Sequence, residues 1–512
     1  MLAFVFPSPY LFVARLKRIL RLKSTHGFDH LVIDCECEQP FTEVSEYYLS
    51  FSIDISVLAG GFWWEGSQKI RAGLGVLRIP PLDLGRNKFN CLTAGLAPAY
   101  LRVGGSEADK IHYLECPNDD KDALLLSAHI WDGLHQFLQR HQLKLYFTAK
   151  YGLFRKSEHG AWHGLEMRSL LEYSASNGYQ IDVFELGNEL NSYWIFYGLN
   201  AQPRAKQLAD DYQTFSGLVK QYYPEAKIAG PGSAFWPKLG ETVKPLSNIS
   251  EQFLRSLNIK LDIVDWHYYP FQSKRTPIRT RTATAKRFLS PASFSDFSNF
   301  SQRLSKLRDT FQPQADLWTG ETGSAQCGGE RKLSDRFYSC FWWADQLGQG
   351  ALHGQKVMIR QSLIGGDYGM IDRLTLKPRP DYWVSWLWKR LMGHHVFVAK
   401  CRQARIRCYL HQHLDGDRFT LLIINLTSQT QTPVIRGLER LKQQFALTAK
   451  TLRSRKVTIN GLRPRIMNPD LSLEYFSKSK VLSEEIPPFS VNFWVFGSKS
   501  GEGLARGDNF EN

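Results

Sequence analysis

The chain is poor in the features that mark most binding classes. Only eight cysteines occur in 512 residues, at 35, 37, 91, 116, 327, 340, 401 and 408. None has metal-ligand spacing, and they are too sparse for a disulfide scaffold, so no metal or other cofactor is expected and the redox compartment stays open. Paired Cys/His fingers and aromatic-basic RNA signatures are missing, so a nucleic-acid partner is not expected. No Gly-rich phosphate turn follows the first β-rich run, which argues against an open doubly wound sheet. No internal stretch approaches the ~18 consecutive apolar residues of a membrane span. The start also lacks the order of a secretory signal, which places charge before its apolar run. Here Met1–Ala14 is apolar, broken by Pro7 and Pro9, and Arg15, Lys17, Arg18, Arg21 and Lys23 follow. Such a segment reads as a poor anchor, a basic segment in weak contact with a membrane surface, or a misplaced start. A secreted, periplasmic or membrane-associated setting is favoured over a cytoplasmic one.

What the chain does have is positive charge, +15 with a pI near 9.3. A basic surface attracts polyanions, whether nucleic acid, anionic lipid or acidic polysaccharide. Aromatic residues make up 13%, which suits both sugar platforms and a large core.

From about residue 49, eight short β-rich runs alternate with amphipathic stretches. They are LSFSIDIS, AYLRVGG, LKLYFTAK, QIDVFELGNE, AKIAGPGS, LDIVDWHYY, DLWTGETGS and QKVMIRQS. The alternation predicts βαβ units, and eight of them predict a (β/α)8 barrel. After about Gly393 the runs RIRCYLHQH, RFTLLIINLT, KVTING and FSVNFWVFG alternate apolar and polar residues. That pattern predicts an antiparallel β-sandwich, which the strand-like run Phe28–Tyr48 can join. The expected organisation is an N-terminal basic and apolar segment (1–27), strands joining the sandwich (28–48), a barrel (49–392), a sandwich domain (393–497) and a polar tail (498–512).

Barrel enzymes carry their chemistry at the C-terminal ends of the strands. Glu189 follows the fourth run and Glu321 ends the seventh, each among small residues. Strands 4 and 7 of an eight-strand barrel face each other across the cleft, and cleavage of a glycosidic bond needs two carboxylates. Each Glu alone is equally readable as an acid near a helix N-terminus or an ion-pair partner. Asn188 is placed to bond a sugar hydroxyl or simply to make a turn. His267 and Tyr269, ending the sixth run, are candidates for a hydrogen bond to Glu321. After that run come Lys274, Arg275, Arg279, Arg281, Lys286 and Arg287 with no acid between them. These form either a rim that holds sulfates and carboxylates or a solvated loop.

With these residues in view, the chain resembles glycoside hydrolase family 79, the heparanase-like endo-β-glucuronidases. The likeness runs from about Glu43 to Phe496. It rests on Ser52–Asp54, Ala99–Gly105, Phe184–Glu189, Gly320–Thr322, Leu333–Asp335, Arg360–Gln361 and Pro380–Trp383. The resemblance implies a retaining hydrolase with Glu189 as acid/base and Glu321 as nucleophile. It matches Asn188 to the family's sugar-binding Asn, Asp54 to the acidic residue on the first strand and Tyr269 to the Tyr near its nucleophile. It implies uronate contacts from Gly328, Gln361 and Tyr368 and a basic contact from Lys274 or Arg275; His267 joins them as a candidate substrate-binding residue. The implied partner is an acidic polysaccharide of the heparan sulfate type. An exo-acting β-glucuronidase and a non-catalytic glycan-binding protein are the alternatives. Leu190 stands where the family usually has Pro. Asp109–Gln142 is too short for the linker that heparanase loses on cleavage, so one uncut chain is expected.

Overall fold

Strand residues that point inward in three tiers organise the molecule. The computed structural model describes residues 31–64, 77–115, 123–152, 160–244, 247–276, 278–465, 471–478 and 481–497. The basic and apolar segment at 1–27, the tail at 498–512 and residues 116–122 of the short-linker stretch lie outside them.

The eight runs become eight parallel strands: β1 (Leu49–Asp54), β2 (Tyr100–Gly104), β3 (Lys144–Ala149), β4 (Val183–Leu186), β5 (Lys227–Trp236), β6 (Ile263–Tyr268), β7 (Asp316–Thr322) and β8 (Gln355–Arg360). Each pairs in parallel with the next, and β8 pairs with β1, so the sheet closes into a barrel. A helix follows each strand: α1 (Asn87–Ala94), α2 (Ala128–His141), α3 (Leu165–Ser176), α4 (Ala205–Tyr222), α5 (Ser250–Ser256), α6 (Ser295–Phe311), α7 (Tyr338–Leu352) and α8 (Pro380–Leu391). The expected barrel class therefore holds.

Side chains alternate across a strand, so every second residue faces the barrel interior. The lowest inward tier is apolar and aromatic: Tyr100, Tyr146, Val183, Ile263, Trp318 and Val357 pack together. Two residues further along β2, β3, β4 and β6 stand Arg102, Thr148, Glu185 and Asp265, all fully or almost fully buried. The candidate site lies above them. A barrel interior without water supports such a middle tier only when its charges are paired.

One irregularity aims the site. Opposite β6, strand β7 carries an extra residue, so Trp266 pairs with Thr319 but His267 pairs with Glu321. This bulge falls at Gly320 and restores Glu321 to the inward face that strict alternation from Trp318 would deny it. A Cβ on Gly320 would lie 2.1 Å from Asp265 Oδ1, so only glycine fits there.

The second unit is a nine-stranded, mostly antiparallel sheet. It holds β9 (Met392–Cys401), β10 (Ile406–His413), β11 (Phe419–Asn425), β12 (Leu441–Thr448) and β13 (Ser490–Phe496). The early strand Val32–Glu36 pairs with β9 and with Val434–Arg436. One sheet face continues the barrel core through Tyr409, Leu422, Phe445 and Phe493, and the other buries Ile33, Leu410, Ile423 and Trp494. Strands β9 and β12 are not evident in the sequence, because His394–His395 and Gln443–Gln444 break their apolar alternation. Only Thr458–Ile459 of the KVTING run pairs as strand.

Candidate active site

Glu189 and Glu321 meet at the C-terminal mouth of the barrel, where both line one cleft. One oxygen of each, together with a ring nitrogen of His267, lies within 4.8 Å of the others. Glu189 holds its position at φ +50°, a left-handed backbone that costs an ordinary residue on the order of 1–3 kcal/mol. The flanking structure fixes that turn: Asn188 N–H donates to Asp109 Oδ2 (3.1 Å), and Ser192 N–H donates to the Glu189 carbonyl (2.8 Å). Burial raises the Asp109 carboxyl to about 6.

The two carboxyl groups live in different surroundings. Glu321 accepts on both oxygens, from Tyr269 Oη at 2.5 Å and from Arg102 Nη1 at 2.8 Å. Glu189 has His267 Nδ1 at 3.3 Å instead. Burial pushes the Glu189 carboxyl well above its ordinary range and the nearby Glu321 charge pushes it further, against opposition from Arg102 and the Trp236 indole. Burial, aided by Arg102, holds the His267 imidazole well below its ordinary value, so it is neutral. One acid of the pair is thus kept protonated beside a neutral ring, while the other is held by a cation and a phenol. The two neighbouring carboxyl groups thus sit in unlike surroundings, which is what two different roles in acid–base chemistry require.

Beneath them, Arg102 also donates from Nη2 to Glu185 Oε2 (2.8 Å) and to Asn188 Oδ1 (3.0 Å). Burial opposes its charge, but Glu185 and Glu321 outweigh burial and hold the guanidinium above its ordinary value. Thr148 Oγ1 donates to the same Glu185 oxygen at 2.8 Å, and Tyr146 Oη donates to Asp265 Oδ2 at 2.6 Å. Burial and the Glu185 charge raise Asp265 well above a normal carboxylate. His267 with Glu185 and Asp265, or with Glu189 and Glu321, has the donor atoms of a metal site. Arg102, however, already supplies the positive charge at both places.

The other expected residues divide. Asp54, Tyr269, Gln361 and Tyr368 line the cleft with the two glutamates. Gln361 Nε2 reaches Tyr368 Oη (3.2 Å) and Asp54 Oδ2 (3.4 Å). Asn188 and His267 stand one step behind, on Arg102 and Glu189. Gly328, at φ +78°, shapes the cleft wall between Cys327 (φ +54°) and Gly329 (φ +87°). Its carbonyl accepts from Asp367 N–H and Tyr368 N–H, and a Cβ there would fall 2.4 Å from Trp64. Lys274 and Arg275 do not line the cleft; Thr276 and Ile278 of the same segment do. Arg275 is buried, its guanidinium committed to Asp367 and to the carbonyls of Gly329 (2.7 Å) and Cys327 (3.3 Å). It braces three loops of the mouth. Arg281 likewise pairs with Asp296 at 2.7 Å. Lys274 is exposed, with its backbone N–H on Glu330 (2.7 Å).

Sequence reasoning passed over Arg102, Glu185 and Asp265 as site members. Their signal was present: each is a lone charge inside an otherwise apolar barrel strand, and a buried charge needs a partner. It also passed over Trp64, Tyr197, Trp236, Gln326 and Cys327, which complete the cleft wall. Trp236 ends β5 and Tyr197 ends a short helix, Tyr193–Tyr197, while the others come from loops whose course no periodicity fixes.

An eight-stranded barrel with two glutamates converging from strands 4 and 7 defines the chain as a barrel glycosidase. Comparison with known proteins makes this specific. Residues 76–348, more than half of the chain, match the model of the glycosyl hydrolase family 79 N-terminal domain. The chain belongs to glycoside hydrolase family 79. It is 27% identical to heparanase of Bos taurus, covering 90% of each chain. Heparanase-like protein 1 of Arabidopsis thaliana is 29% identical over 73% of this chain and 70% of its own length. A human relative, inactive heparanase-2, is 25% identical over 91% of this chain and 88% of its own. Among solved structures, the GH51 arabinofuranosidase from Xanthomonas axonopodis pv. citri superposes with a TM-score of 0.62 at 14% identity, covering 91% of this chain and all of that one. That likeness concerns the fold. The protein is a glycoside hydrolase, and its substrate is a carbohydrate.

Proposed function

We propose that the chain hydrolyses β-glucuronide linkages with retention, acting within an acidic glycan of the heparan sulfate type, with Glu189 as acid/base and Glu321 as nucleophile. The observation that carries this is the close, chemically unequal pair. Retaining enzymes hold their carboxyl groups about 5–5.5 Å apart and inverting ones about 6.5–9.5 Å apart. Oxygens of Glu189 and Glu321 within 4.8 Å of each other favour the first.

In this reading a Glu321 oxygen attacks the anomeric carbon while protonated Glu189 gives its proton to the departing oxygen. The glycosyl ester that forms removes the Glu321 charge. That charge is one of the forces holding the Glu189 proton, so Glu189 ionises more readily once the ester forms and stands as the carboxylate that can accept a proton from the attacking water. Water attack then regenerates both groups. Gly328, Gln361 and Tyr368 receive the uronate: Gln361 Nε2 and Tyr368 Oη lie 3.2 Å apart on the cleft wall, and the absence of a side chain at Gly328 lets a carboxylate approach the backbone closely. Asp54 and Asn188 serve sugar hydroxyls.

The test is turnover of a fluorogenic β-glucuronide and of heparan sulfate by the wild type, Glu321→Gln and Glu189→Gln. Wild-type turnover lost in Glu321→Gln is expected. Internal cleavage of the polymer supports endo action, and release of single uronate residues alone would replace it with an exo-acting reading. No turnover of either substrate by the wild type overturns the proposal and favours a non-catalytic glycan binder.

A further inference from the structure

The strand-rich unit presents a second basic surface, away from the segment that follows β6. From Leu447 to Arg465 the chain holds six cations and no acid. Lys450, Arg453, Arg455, Lys456, Arg463 and Arg465 are all exposed. Only Arg455 has a carboxylate partner among the described residues, Asp335 at 2.7 Å. Asp335 belongs to the loop that leaves β7, and the same loop is tied to the strand-rich unit by Phe337 N–H on the Ser454 carbonyl (3.0 Å). On that loop Arg331 and Lys332 are exposed; the Lys332 backbone N–H donates to Asp335 Oδ1 (2.7 Å), and neither side chain is ion-paired among the described residues.

This joint connects the basic surface to the cleft. Gln326 and Cys327 line the cleft, and Arg331 follows Cys327 by four residues, a reach of at most about 14 Å. The contacts Asp335–Arg455 and Phe337–Ser454 then carry the same loop onto the 450–456 turn, which is closed by Ser454 N–H on the Thr451 carbonyl (3.0 Å). Like charges crowded on one surface repel one another, and apart from Arg455 these side chains have no carboxylate partner among the described residues and face solvent rather than core. Cations spaced along a path that begins at a glycan-cleaving cleft match a polyanion lying across both units.

We propose that the 450–465 surface of the strand-rich unit, with Arg331 and Lys332, is an exosite that grips an acidic polysaccharide chain outside the cleft and holds it for cleavage. This rests on the hydrolase reading above, but its binding arm does not. The experiment compares wild type, Lys450→Glu/Arg453→Glu/Lys456→Glu and, on the barrel side, Arg331→Glu/Lys332→Glu. Retention on immobilised heparin against a salt gradient is measured first, then KM and kcat for heparan sulfate and for a fluorogenic β-glucuronide. Both variants are expected to elute at lower salt and to raise KM for the polymer about tenfold, with kinetics on the small substrate unchanged. That small-substrate control shows the variants are folded. If the wild type cleaves neither substrate, the hydrolase reading falls while the heparin arm still decides the exosite. Unchanged elution and unchanged polymer KM overturn the exosite. So does equal loss of retention on heparin and on duplex DNA with polymer KM unmoved, which would make the surface a general polyanion patch.

Discussion

The guanidinium of Arg102 donates to the Glu321 carboxylate over 2.8 Å from a position with no exposure to solvent. Its second terminal nitrogen serves Glu185 and Asn188, so one side chain orients the candidate nucleophile and the residue beside the candidate acid. A lysine offers a point charge without the planar fork that spans three acceptors. Arg102→Lys is therefore expected to lower kcat on the order of 10²–10³-fold with a small change in KM. Arg102→Met leaves Glu185 buried without its cation and is expected to cost roughly 3–5 kcal/mol in stability. Denaturant unfolding together with steady-state kinetics checks both. Near-normal kcat in Arg102→Lys would remove Arg102 from the site.

If Glu189 supplies the leaving-group proton, its loss matters according to the leaving group. Glu189→Gln is expected to lower kcat on a glycan about 10²–10⁴-fold. An activated aryl glucuronide needs no proton to depart. Its first step should survive in Glu189→Gln, giving a burst of aryl alcohol followed by slow hydrolysis of the ester. Equal losses on both substrates, with no burst, would assign the proton to another group.

The pH dependence follows from the same pair. Burial and the Glu321 charge hold the Glu189 carboxyl above its ordinary range. Its acid form therefore persists upward in pH, and kcat/KM is expected to fall on the alkaline side as Glu189 ionises. Glu321→Gln removes one of the raising causes and leaves burial and the weaker effect of the Glu185 charge. Titration of labelled glutamate in that variant should then show Glu189 lower than in the wild type, yet still above a solvated carboxyl. An unmoved Glu189 would sever the coupling on which the two-step chemistry depends.

Asp265 offers a stability test independent of activity. Burial and the Glu185 charge raise its carboxyl above the unfolded value. A group raised on folding contributes stability that is complete below its unfolded pKa and declines as pH climbs through the folded one. Stability should therefore fall as pH rises beyond the usual carboxylate range. Asp265→Asn keeps the neutral shape and can still accept from Tyr146. Its melting curve is expected to lose that part of the pH slope, and an unchanged slope would show that Asp265 is ionised in the folded protein.

The barrel was legible because β-rich runs repeat, and the candidate pair because Glu189 and Glu321 fall at strand ends, where chemistry collects. The middle tier was readable in principle: Arg102, Glu185 and Asp265 break apolar strands. What no pattern conveyed was direction. Lys274 and Arg275 looked alike as cations after β6, yet Arg275 turns inward to Asp367 while Lys274 stays in solvent. The Gly320 bulge that aims Glu321 is a matter of register between two strands, which only the closed sheet determines. Trp64, Tyr197 and Trp236 reach the cleft from a loop, a short helix and a strand end far apart in sequence.

Cys327 gives the last prediction. It lines the cleft at φ +54°, a backbone that favours glycine, and its two successors are glycines with the same sign of φ. Strain there costs about 1–3 kcal/mol, whereas glycine costs about 0.5–1 kcal/mol through the freedom it has when unfolded. Cys327→Gly is therefore expected to stabilise the protein by about 1 kcal/mol and to widen the cleft, read as a higher Tm with altered KM for glucuronides. Burial raises the thiol to about 11, so it is protonated at neutral pH and should react slowly with iodoacetamide, faster as the pH approaches that value. Alkylation should then abolish turnover by filling the cleft, a bound glucuronide should protect, and Cys327→Gly should be resistant. Inactivation of Cys327→Gly at the wild-type rate would place the sensitive thiol elsewhere.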